Sequence, residues 1–70
     1  MNINDLKQQR AIAREQAVIS SNKMDMHTRA GNEFSAKVYR ARMNALNLYA
    51  KVLDEQLKKH NRKQFKKANA

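Results

Sequence analysis

The sequence predicts an all-α protein, a helical hairpin or small helical bundle with a long C-terminal helix. Two observations carry this. The chain has no proline and a single glycine, Gly31, and the rest is rich in good helix formers such as Ala, Lys, Gln, Arg, Leu and Met. Apolar residues in its second half recur at alternating spacings of four and three, the spacing of a helical seam. No stretch sustains the apolar–polar alternation of a strand, and no Asn-Gly-type pair marks a β-hairpin.

The first helix is expected over about residues 3–20. Asn2 or Asn4 can cap it, and Asp5 falls in the first turn, where an acid complements the helix dipole. Ser20-Ser21-Asn22 is a candidate interruption, because these side chains compete for backbone hydrogen bonds. Asn22 and Asp25 would then cap a short helix over about 22–30. Gly31-Asn32 is the strongest break: a glycine closes one helix, and Asn32 opens the next with Glu33 in its first turn. From Glu33 nothing stops the helix until about residue 65, a length of roughly 50 Å at 1.5 Å per residue.

On this second helix Phe34, Val38, Ala41, Ala45, Leu48 and Val52 form a heptad seam expected to face the core of a bundle. Ala36-Lys37-Val38-Tyr39 returns as Ala50-Lys51-Val52-Leu53 two heptads later. Leu46, Tyr49, Leu53 and Leu57 widen the stripe into a face able to contact two neighbouring helices. The first segment carries two stripes. Ile3, Leu6, Ala13, Ala17 and Met24 lie on one side, and Ala11, Ile12, Val18, Ile19 and Met26 on another.

One stripe is thus left without cover, which on a small protein marks an interface. The expectation is a homodimer, with Ile12, Val18, Ile19, Met26, Val38, Ala45, Leu48 and Val52 at the contact. A monomeric three-helix bundle broken near Ser20–Asn22 is the alternative. Either way a cysteine-free chain of 70 residues has no staple and buries only about 60% of its surface.

Charge divides the chain into a helical core, residues 1–57, and a basic extension, residues 58–70. The core holds nine Lys or Arg and six acids, net +3, so the extension supplies the remaining +6 of the formal +9. No acid follows Glu55. Lys59, Lys63, Lys66 and Lys67 continue the arc of Val38, Ala45, Leu48 and Val52, so cations replace the apolar seam there. Burying them would carry a large desolvation cost, and the extension therefore reads as a separate element.

Its expected partner is a polyanion, most directly nucleic acid or a ribonucleoprotein, held by Lys58, Lys59, Arg62, Lys63, Lys66 and Lys67. Phe65 would stack on a base or anchor in a groove, and Arg10, Arg14, Arg40 and Arg42 would extend the footprint. Two other readings stand beside it: docking on an acidic surface of a larger enzyme complex, and a solvated end that only aids solubility. No helix-turn-helix, zinc-finger or ribonucleoprotein motif is present, so contacts to bases are expected to be few.

Catalysis is not expected. His27 and His60 have no cysteine or metal-spaced carboxylate beside them, and they read as exposed or packing residues. Asp54 and Glu55 are adjacent, hence about 100° apart on a helix, a poor acid–base pair. Their expected roles are helix pairs, Lys51 with Glu55 and Asp54 with Lys58. Ser20, Ser21, Ser35 and Thr28 have no activating base, and one glycine cannot build a phosphate loop. No cofactor, metal or small-molecule substrate is implied. No apolar run exceeds three residues, which excludes a membrane span or signal peptide, and the expected setting is the cytoplasm.

Overall fold

The computed structural model describes the backbone of residues 2–69 and the side chains of residues 2–61. It is a hairpin of two antiparallel helices, α1 (Ile3–Arg29) and α2 (Glu33–Asn69). The molecule is a rod of 59 × 15 × 14 Å. Its radius of gyration is 16.6 Å, where a compact 70-residue globule would have about 11 Å.

Local chemistry sets the helix ends as the sequence predicts. The Asn2 side chain accepts a 2.8 Å hydrogen bond from the Asp5 N–H and caps α1. At the other end Gly31 takes φ +78°, the Gly31 N–H donates to the Thr28 carbonyl and the Asn32 N–H to the His27 carbonyl. These two bonds are a Schellman closure, which satisfies the last carbonyls of α1 and reverses the chain. Asn32 then caps α2, accepting from the Ser35 N–H at 3.2 Å.

The expected interruption at Ser20-Ser21-Asn22, with a separate helix over 22–30, does not occur, and α1 is continuous for 27 residues. The reason is tertiary. Ser20 lies on the face turned toward α2 and is 2% exposed. Serine is only a mild helix disfavourer, and burying this face outweighs that local preference.

Both helices meet through heptad seams. On α1 every residue at Leu6, Arg10, Ala13, Ala17, Ser20, Met24 and His27 is buried or half-buried. On α2 the same holds at Ala36, Tyr39, Met43, Leu46, Ala50, Leu53, Leu57 and His60. Three small side chains, Ala13, Ala17 and Ser20, stand in the middle of the α1 seam. The α2 face opposite carries the larger Leu46 and Leu53, and small side chains set against large ones let two helices interlock.

Of the broad apolar face expected on α2, the side carrying Leu46, Leu53 and Leu57 turns to α1, and the heptad seam expected to face the core does not. Phe34, Val38, Ala41, Ala45, Leu48 and Val52 all point outward, and Phe34 is 79% exposed. Length explains the choice. The inner seam stays apolar to Leu57 and reaches back along α1 to Leu6, whereas the outer one meets Glu55 and Lys59 after Val52. Docking the longer seam buries more apolar surface. The 14-residue repeat encodes both faces at once: Ala36 and Ala50 are buried, while Val38 and Val52 are exposed.

Candidate functional site

The predicted polyanion site begins at Lys58 and Lys59, both exposed on α2 just past the buried Leu57. Arg62, Lys63, Phe65, Lys66 and Lys67 lie outside the residues whose side chains are described. Of the four arginines expected to extend the footprint, two are already engaged. Arg10 Nη1 donates to Asp54 Oδ1 at 2.7 Å and Arg14 Nη2 to Asp54 Oδ2 at 2.9 Å. One carboxylate thus takes a guanidinium on each oxygen and ties α1 to α2. The Arg10 hydrogen bond is the main reason that the Asp54 carboxyl titrates below its ordinary 3.8, with the Arg14 charge adding to it against partial burial.

Asp54 was expected to pair with Lys58 along its own helix. The structure gives it instead to two arginines across the hairpin, Arg10 from the α1 seam and the more exposed Arg14 one turn on. Arg40 lines a shallow hollow at the turn with Thr28, Gly31, Glu33 and Lys37, and Arg42 is exposed further along α2.

The eight residues expected at an interface are all exposed, yet they do not share one face. Val18 sits beside Arg14, Ser21, Met43 and Asn47, on the flank that carries the Asp54 ion pairs. Ile12, Ile19 and Met26 recur at intervals of seven and so form a single row, divided from Val18 by the polar Glu15, Asn22 and Arg29. Val38, Ala45, Leu48 and Val52 belong to the outer seam of α2, roughly 155° around that helix from the seam facing α1.

Both histidines take packing positions. The His27 ring stacks on Tyr39 with centroids 5.4 Å apart and planes 9° from parallel, and Lys23 Nζ lies 5.7 Å from the Tyr39 centroid. His60 continues the inner seam near the start of α1, with its Nδ1 shielded and unpartnered among the described residues. No three or more histidines and acids among the described residues gather as a metal cluster. No helix is long and apolar enough to cross a membrane among them.

No protein-family model, curated protein or solved structure matches the chain.

Proposed function

We propose that this chain is a non-enzymatic helical accessory protein of the cytoplasm that binds a polyanion, most directly nucleic acid, through the basic end of α2. The observation that carries the reading is the concentration of charge: +6 on residues 58–70, with no acid after Glu55. The exposure of Lys58 and Lys59 supports it, as does the engagement of Asp54 with Arg10 and Arg14 on the hairpin body. Past Glu55, one helical turn before Lys59, an anion approaching this end meets no further carboxylate in the sequence. Phosphate contacts of this kind act by releasing condensed counterions and read shape and charge more than base identity.

The test is a titration of a labelled oligonucleotide against salt, followed by anisotropy. Log affinity falls linearly with log salt, and the slope for a duplex flattens by up to about 2.7 in a Lys59→Ala, Lys63→Ala, Lys66→Ala variant, about 0.9 per lost phosphate contact. Affinity and slope equal to those of the parent chain would refute the reading.

A second reading is docking on an acidic surface of a larger enzyme complex. The exposed row of Ile12, Ile19 and Met26 favours it, since a solitary hairpin leaves that row in water. Nuclease treatment separates the two: a complex held by nucleic acid dissolves, and one held by protein persists.

A further inference from the structure

We propose that the outer seam of α2 is a self-association surface, on which a second copy of this chain packs its own α2 antiparallel. The seam is Phe34, Val38, Ala41, Ala45, Leu48 and Val52, and all six are exposed. It has the strict four-three spacing of a coiled-coil seam, which the exposed apolar residues of α1 lack. The helix α2 therefore carries two seams, and the hairpin covers one.

Its order of side chains points to a second copy as the occupant. Read in either direction, the seam runs from large residues through two alanines to large residues. A two-fold axis at the level of Met43 sets Phe34 against Val52, Val38 against Leu48 and Ala41 against Ala45 of the second copy. Every level is then filled, and the central alanines let the two helices approach closely, toward the about 8 Å end of helix spacings. A seam shaped for an unrelated helix has no reason to match its own reversal.

Surface area points the same way. The chain exposes 5676 Å², whereas a compact protein of 8.1 kDa would expose roughly 4,500 Å². The excess exceeds the about 800 Å² per partner that a standard interface covers. Lys37, Lys51 and Arg42 flank the seam at its rim. They meet their like in the second copy, so salt should strengthen the association by screening them. In this assembly the two Lys59 side chains start about 48 Å apart, at 1.5 Å of rise per residue. The basic ends then point in opposite directions and offer two separate anion sites on one molecule.

Sedimentation equilibrium over a wide concentration range tests the proposal. The parent chain approaches twice 8.1 kDa as concentration rises, and a Leu48→Glu variant weakens the association about 30-fold or more. Leu48 is 63% exposed in the hairpin, so the variant keeps its helical circular dichroism. Val18, at 61% exposure on the other helix, is the control: Val18→Glu leaves the association unchanged. The chain has no cysteine, so orientation can be read by cross-linking. A mixture of Val38→Cys and Leu48→Cys chains forms a disulfide-linked heterodimer, while Leu48→Cys alone does not cross-link.

A mass of one chain at every concentration would overturn the proposal. So would equal weakening by Val18→Glu, or efficient cross-linking of Leu48→Cys to itself, which marks a parallel pair. Salt separates this proposal from polyanion binding, because self-association tightens with salt and phosphate binding loosens. Either can therefore fail without the other.

Discussion

Gly31 closes α1 at φ +78°, and open space surrounds the position where a Cβ would stand. The need for glycine is thus one of backbone conformation alone, since a Cβ in the left-handed region crowds its own carbonyl. Gly31→Ala is expected to destabilise the hairpin by about 1 kcal/mol, read from a urea midpoint with unchanged m-value. Asp54 offers a test of different kind. Its folded-state carboxyl titrates low, chiefly because Arg10 donates to the charged form. A depressed acid stabilises the fold above its unfolded value and loses that contribution as pH falls through the folded one. The loss therefore sets in below about pH 4, and Asp54→Asn should flatten stability across that acid limb while lowering it at neutral pH.

Both ends of α1 and the start of α2 are set by residues that act on their own backbone, which makes them legible in the sequence. Asn2, Gly31 and Asn32 do in the structure what their side chains, or lack of one, predispose them to do. Ser20 is the contrary case, where a residue of mild local preference is overruled by burial against α2. The choice of seam is subtler. Periodicity marks Val38, Leu48 and Val52 as strongly as Leu46, Leu53 and Leu57, and only the length of each seam, to Val52 or to Leu57, separates them. Substitution ranks them directly. Leu53, 4% exposed, loses about 2–4 kcal/mol on Leu53→Ala, whereas Leu48→Ala changes the isolated hairpin by less than about 0.5 kcal/mol. Thermal unfolding at low protein concentration makes the comparison, and equal losses would mean that α1 covers both seams.

At the scale of the molecule, two helices make a rod with a single layer of contact between them. Such a rod buries few large side chains fully, and it presents long faces to its surroundings. Charge and apolar surface are segregated along it: the uncovered seam ends at Val52, and the cations take over from Lys58 onward. The two proposed contacts thus occupy different lengths of the same helix and respond to salt with opposite sign. Titrating salt while following both mass and oligonucleotide binding should show the two curves crossing.

Helical class, the turn at Gly31-Asn32 and the basic extension follow from the sequence alone, because each depends on propensity, capping or charge carried by neighbouring residues. Two matters were settled only by the tertiary structure: which face of α2 turns inward, and which arginines take Asp54. Both depend on where a second helix lies, and a heptad repeat is as regular on the side facing water as on the side facing a partner.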